Sequence, residues 1–260
     1  MKRLLLVIFV TVFTATSLLA QDKSLYQKAL FIMGADTLPY RLLLPKNYDA
    51  AKKYPLIYVL HGAGERGSDN EAQLVHGATL FLKEAVRDNY PAIVVFPQCP
   101  SKSFWSNVQF SVDSAGFRDF KFQAGGDPTI AMVLAQGLLK KLLKDYPINK
   151  KQVYVGGLSM GGMGTFEIVN RNPKLFAAAF PICGGAAPET ATQLTAVKWW
   201  VFHGDKDAVV PPNCSQVMVD ALRANKADVK YSLYPGVNHN SWDNAFAEPE
   251  LLPWLFSIKK

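Results

Sequence analysis

From about Pro55 onward, short apolar runs alternate with longer stretches whose apolar residues recur every three or four positions. Leu56-Ile-Tyr-Val-Leu60, Ala92-Ile-Val-Val-Phe96, Gln152-Val-Tyr-Val155, Trp199-Trp-Val-Phe202 and Val229-Lys-Tyr-Ser-Leu-Tyr234 read as strands. Several are apolar at consecutive positions, so both faces are expected to be covered, as in a parallel sheet. Between them the clearest helix opens at Asp127-Pro128, carries Ile130, Leu134, Leu138 and Leu142 with Leu139, Leu143 and Tyr146 on one stripe, and stops at Pro147. Helices are also expected over Gly162–Asn170, Cys214–Asn225 and Glu250–Ser257. Ahead of these, Ala29–Leu44 tolerates polar residues and reads as an antiparallel hairpin at a sheet edge. Strand-helix alternation predicts an α/β domain with a mainly parallel, twisted sheet, helices on both faces and an antiparallel N-terminal edge. No repeat or low-complexity linker interrupts it, so residues 21–260 are expected to form one domain.

The first twenty residues, MKRLLLVIFVTVFTATSLLA, break the pattern. Two positive charges, an apolar run diluted by Thr and Ser, and a small residue before polar Gln21 describe a secretory signal peptide at 1–20. The expectation is an exported protein, secreted or periplasmic, with no stable membrane anchor after cleavage. Composition adds little to this: 49% hydrophobic and 19% charged residues suit an ordinary core. The net charge of +7 comes from scattered residues and pairs such as Lys140-Lys141. A nucleic-acid surface would cluster them, so no nucleic-acid partner is expected. Cys99, Cys183 and Cys214 lack zinc spacing and read as buried small residues, with a Cys99–Cys183 bridge left open. No HExxH or paired-carboxylate spacing points to a metal, and no cofactor is expected.

Active sites on parallel sheets lie past the carboxyl ends of the strands, so the residues there carry the chemistry. After Gln152–Val155 comes Gly157-Leu-Ser159-Met-Gly161, a G-x-S-x-G in which a sharp strand-to-helix turn exposes the serine hydroxyl. No lysine follows these glycines as a phosphate loop requires. After Trp199–Phe202 comes His203-Gly-Asp205-Lys-Asp207, with two aspartates able to hold an imidazole. After Val229–Tyr234 comes His239, on a glycine-containing loop. Serine, aspartate and histidine in that order suit nucleophilic catalysis: His239 takes the serine proton and returns it to the leaving group, and the carboxylate fixes the imidazole. After Leu56–Leu60, His61-Gly-Ala63-Gly bares its backbone. The amides of Ala63 and Met160 are expected to form an oxyanion hole. His61 and His203 read as local packing or hydrogen-bonding residues, and His76 as a residue of a polar stretch with no partner spacing. Trp105, Trp242 and the 101–126 loop, with Phe104, Phe110, Phe117, Phe120 and Phe122, are expected to shape an acyl pocket.

LHGAGERGSDN, FPQCP, GGLSMGGMGT, FHGDKDAVVP and NHNSW together resemble the α/β-hydrolase superfamily over Ala29 to the C-terminus. More narrowly they are similar to exported esterases related to feruloyl and acetylxylan esterases, to the phospholipase/carboxylesterase group, and to "predicted peptidase" relatives. The resemblance implies Asp207 rather than Asp205 as the acid and His239 as the base. It also implies a small-molecule or polysaccharide-linked ester as substrate. Where such relatives commonly carry Asp and Arg before the elbow strand, this chain reads Asn149-Lys-Lys-Gln152. A serine peptidase on the same triad, and a non-catalytic binding protein on this scaffold, are the alternative readings.

Overall fold

The computed structural model describes residues 22–114, 116 and 118–260. The expected signal peptide and Phe117 lie outside the described residues. In chain order the strands are β1 (Gln27–Met33), β2 (Asp36–Leu43), β3 (Tyr54–Leu60), β4 (Ile93–Pro97), β5 (Val108–Val112), β6 (Arg118–Phe122), β7 (Ile148–Leu158), β8 (Ala178–Ile182), β9 (Lys198–Gly204) and β10 (Val229–Tyr234). The α-helices are α1 (Glu84–Asn89), α2 (Ile130–Asp145), α3 (Met160–Arg171), α4 (Asn213–Ala224), α5 (Trp242–Ala247) and α6 (Leu251–Ser257).

Eight strands form one sheet in the order β1-β2-β4-β3-β7-β8-β9-β10. β1 pairs antiparallel with β2, and β2 with β4; every other neighbour pair is parallel. This is the expected sheet, antiparallel edge included. Alternation along β3 divides the core between the two faces. Leu56, Tyr58 and Leu60 join a cluster with α2, α3 and α4 residues such as Leu138, Phe166 and Val219. Ile57 and Val59 face the other way, toward Phe246 of α5 and Leu255 of α6. Fully burying a single Leu or Phe contributes about 1.5–3 kcal/mol, so each face is a substantial share of the stability.

Three differences from the sequence reading matter. β8, AAFPI, is not among the expected strands because Pro181 stands inside it, and proline is rare in central strands. The ladder yields there: β8 meets β9 at Ala178–Lys198, Ala179–Trp199 and Ile182–Phe202 but not at Pro181. Helix α2 begins three residues after Asp127, where Thr129 Oγ1 accepts from Met132 N at 3.1 Å and so caps the first turn. The 101–126 segment is not simply a loop: β5 and β6 form a separate antiparallel hairpin. The cysteines fit their reading as small residues of the interior: all three are free, with Cys99 and Cys183 buried, and the bridge left open between those two is not formed. Among the described residues no helix is long and apolar enough to cross a membrane.

Candidate active site

β7 ends at Leu158 and α3 begins at Met160, leaving Ser159 alone in the turn with φ 53° and ψ −117°. A positive φ is strained for a side-chain-bearing residue and persists only where the surroundings enforce it. The enforcement is visible. Ser159 N donates to Ile182 O at 2.9 Å, tying the turn to β8. On the opposite side, a Cβ on Gly157 or Gly161 would come within 2.4 Å and 2.0 Å of Leu60 O. Neither glycine has a positive φ. They are there so that the β3 backbone can approach the turn, and the conformational strain falls on the serine. Cys183, immediately after β8, is a second strained residue beside it, with φ 40°.

The serine hydroxyl meets a continuous chain of hydrogen bonds. Ser159 Oγ donates to His239 Nε2 at 3.0 Å, and His239 Nδ1 donates to Asp207 Oδ2 at 2.8 Å. The loop after β10 brings in His239, and the turn after β9 brings in Asp207. Asp205 is engaged elsewhere, accepting from Gly236 N at 2.6 Å and so shaping the β10 turn. The Asp207 carboxylate is fully enclosed and fully satisfied. Oδ1 accepts from Val209 N and Val210 N at 2.8 and 2.9 Å. Oδ2 accepts from His239 and lies 3.2 Å from His203 Nε2. Burial alone would raise its pKa, but the bonds from His203, His239 and Val210 outweigh it and hold the carboxyl far below the usual carboxylate range.

His203, expected only to pack or bond locally, completes this bracket. It is fully buried; its Nε2 faces Val210 O at 2.9 Å as well as Asp207, so that nitrogen carries the proton. Its Nδ1 lies 2.7 Å from Ser215 Oγ, which is itself 2.7 Å from Gly184 O. The HGDKD spacing holds the signal: the histidine lies near the end of β9 and the aspartate comes four residues later. Cys183 Sγ, an Asp207 oxygen and a His239 nitrogen lie within 4.8 Å of one another. Burial, then the Asp207 charge, pushes the Cys183 thiol pKa up, so it stays protonated, and the other two donors are bonded within the serine-histidine-aspartate chain.

The two candidate oxyanion donors stand where backbone N–H groups lack a partner within their own helix. Met160 is the first residue of α3 and Ala63 the first of a short 3-10 helix, Ala63–Glu65. The loop carrying Ala63 is clamped by His61. Its Nδ1 donates to Gly62 O at 2.6 Å, its Nε2 accepts from Cys99 N at 2.9 Å, and its carbonyl accepts from Trp105 Nε1 at 3.1 Å. That pattern requires the neutral ring, and burial lowers its pKa to about 4. A histidine depressed from an unfolded value of about 6.5 contributes stability above that pH and loses it as the pH falls toward the folded value, by an order of ~3 kcal/mol. Denaturant unfolding should therefore show the parent protein losing more stability between pH 7 and pH 4 than His61→Gln; equal losses would refute the role of the ring.

Beside Ser159 opens a cavity of about 250 Å³. Ala63, Ser159, Met160, Met163 and Val210 form its floor; Phe104, Phe110 and Phe120 wall it, and Arg66 and Arg118 reach it. Neither tryptophan expected in a pocket lines this one. Trp105 is fully buried, packed under the His61 loop and against Gly164. Trp242 stands on the other side of His239, edge-on to its ring at 5.2 Å, and lines a separate cavity with His76, Leu80 and Phe246. His76 lies there beside the Trp242 ring at 4.9 Å, with Glu65 Oε1 3.7 Å away. Met163, Val210, Arg66 and Arg118 are pocket residues that sequence reasoning missed, since no motif marks them.

The sheet, its strand order and the strained serine turn between β7 and α3 are those of the α/β-hydrolase fold. The chain belongs to the Esterase family, whose model, described as "Putative esterase", matches residues 35–210. A thermostable esterase of known structure is similar over 91% of this chain, with 34% identity and a TM-score of 0.81; this chain spans 64% of that one. "Probable feruloyl esterase C" of Aspergillus oryzae is 23% identical over 205 residues, 78% of this chain and 67% of the fungal protein. The feruloyl esterase module from Clostridium thermocellum complexed with sinapinate shares the fold at 18% identity, TM-score 0.63, covering 88% of this chain and 87% of that one.

Proposed function

We propose that this chain is an exported serine carboxylic ester hydrolase working through Ser159, His239 and Asp207. The observation that carries the reading is the unbroken hydrogen-bond chain from a strained, half-exposed serine to an enclosed carboxylate. Ser159 Oγ attacks the ester carbonyl carbon while His239 Nε2 takes its proton. The carbonyl oxygen, now negative, is received by the Ala63 and Met160 amides. The tetrahedral species collapses and the C–O bond breaks. His239 hands its proton to the departing alcohol, leaving an acyl group on Ser159. Water then attacks that acyl group, losing a proton to His239; the acyl–Oγ bond breaks, His239 returns the proton to Ser159 Oγ, and the acid leaves. Asp207 stays ionised throughout and fixes the tautomer in which Nε2 is free to accept.

The aromatic walls of the cavity suit a phenolic or other aromatic acyl group. With the feruloyl esterase relatives, this supports a substrate in which such an acid is esterified to a small alcohol or a polysaccharide hydroxyl. Residues 1–20 are assigned to the export signal and 21–260 to the catalytic domain, with a secreted or periplasmic location. The test is a panel of short and long acyl p-nitrophenyl esters, methyl ferulate, acetylated xylan and an aminoacyl amide, together with fluorophosphonate labelling. Hydrolysis of the short esters and methyl ferulate, with stoichiometric labelling at Ser159, is expected. An unlabelled, folded protein would overturn the catalytic reading, and a preference for the amide would move it to a peptidase.

A further inference from the structure

Two arginines reach the cavity beside Ser159, and neither has a carboxylate partner among the described residues. The half-buried Arg66 is the telling one. Of the other enclosed arginines, Arg41 pairs with Glu71 and Arg171 with Glu167, while Arg87, outside this cavity, donates to Leu44 O. Arg66 instead donates from Nε to Ala63 O at 3.0 Å and from Nη1 to Ser103 O at 3.2 Å, with its guanidinium 5.8 Å from the Phe104 ring centroid. Two carbonyls and a ring fix the group in place while its charge remains uncompensated and further N–H donors stay available. Its sequence neighbour Glu65 does not neutralise it; that carboxylate lies 3.7 Å from His76 and beside Gly62. Arg118 arrives from the far side, on strand β6, where it is exposed and its side chain makes no hydrogen bond or ion pair among the described residues. Asp119, next to it, projects to the opposite face of the hairpin by strand alternation.

The cavity also has a direction. It includes Ser159 and both oxyanion-hole residues but not His239, which gives the proton to the alcohol. It is therefore the side that holds the acid. An apolar aromatic slot with two uncompensated guanidinium groups is matched by a flat acyl group bearing a negative charge, because arginine binds carboxylate through paired, charge-assisted N–H bonds.

We propose that this cavity selects aromatic acyl groups carrying an ionised carboxylate, so that the preferred substrates are monoesters of aromatic dicarboxylic acids, with Arg66 and Arg118 as the residues that set the preference. The proposal rests on the assignment of Ser159 as the nucleophile, and its test is a binding measurement that does not need turnover. Calorimetry on the Ser159→Ala protein would compare methyl 4-carboxycinnamate with methyl 4-nitrocinnamate, whose planar nitro group matches the carboxylate in shape but carries no net charge. The charged ester should bind about tenfold more tightly, given the strength of charge-assisted hydrogen bonds. The ratio should shrink when salt is raised from about 50 to about 500 mM, as screening requires. Adding Arg118→Met or Arg66→Met should collapse it toward one. If Arg66→Met does not fold, Arg118→Met and Arg118→Glu decide, the latter expected to reverse the preference. Equal affinities in the Ser159→Ala protein, or a ratio unchanged by the Arg118 variants, would overturn the proposal. Absence of hydrolysis by the Ser159 enzyme would instead overturn the esterase mechanism, and the affinity ratio would still decide the charge preference.

Discussion

Ser159→Ala is expected to lower kcat/KM for every hydrolysed ester by about 10⁴- to 10⁶-fold, the scale seen when a nucleophile is removed from a working triad. The loss should be nearly all chemical. Ser159 Oγ makes one side-chain bond, to His239 Nε2, and stands half-exposed, so no buried group is orphaned by its removal. Alanine faces the same positive-φ strain as serine, and the turn remains held by the bond to Ile182 O and by the closeness of β3. The melting temperature should thus stay at the parental value while labelling by fluorophosphonate disappears. Residual hydrolysis above the uncatalysed rate would measure what the amides of Ala63 and Met160 supply alone. A variant that retained the parental rate would remove Ser159 from the mechanism.

Asp207→Asn is expected to lower kcat by about 10³- to 10⁴-fold with little change in KM, and unlike the serine variant it should also lower the melting temperature. The reason is the number of donors around this carboxylate. One oxygen faces the Val209 and Val210 amides; the other faces His239 and His203. An asparagine NH2 has no acceptor on either side. Turned toward the valines, it sets N–H against N–H. Turned toward the histidines, it drives His239 into the tautomer that protonates Nε2, the nitrogen that must accept the serine proton. A buried donor left facing donors costs on the order of 1–3 kcal/mol. Steady-state kinetics and thermal melts on the same preparation separate the two effects. A kcat within tenfold of the parent would show that the aspartate does not set the tautomer.

The parts of the molecule that are legible in the sequence share a physical cause. Strands β3, β4, β7, β9 and β10 are buried on both faces or bounded by turns, so their apolar runs are unmistakable. The residues just past each strand end then gather at the same rim of the sheet. That is why Ser159, Asp207 and His239 can be grouped from sequence although 80 and 32 positions separate the bonded pairs. The hidden parts depend on approach through space. β8 is masked by Pro181, and the β5–β6 hairpin by Lys, Arg and Asp between its aromatics. Trp105 and Phe104 are neighbours in sequence, yet one is core and the other wall. An aromatic run does not show which ring the chain will fold over. Nor does HGDKD alone show that its histidine will share the carboxylate with His239. The charge of Arg66 stands in plain view in GERG, but whether an acid neutralises it is decided only by tertiary contacts.

The hairpin that closes the cavity has a place apart from the rest of the chain. No residue of β5 or β6 belongs to either core cluster, and the two strands pair only with each other. Ser159, Asp207 and His239 follow strands of the main sheet, whereas Phe110, Phe120 and Arg118 are held by this appendage. One wall of the cavity is therefore carried apart from the sheet, while Arg66, Phe104, Met163 and Val210 come from the body of the domain. Substitutions within residues 108–122 can reshape that wall without touching the turn that carries Ser159, so this interval is the part of the cavity most open to exchange between relatives.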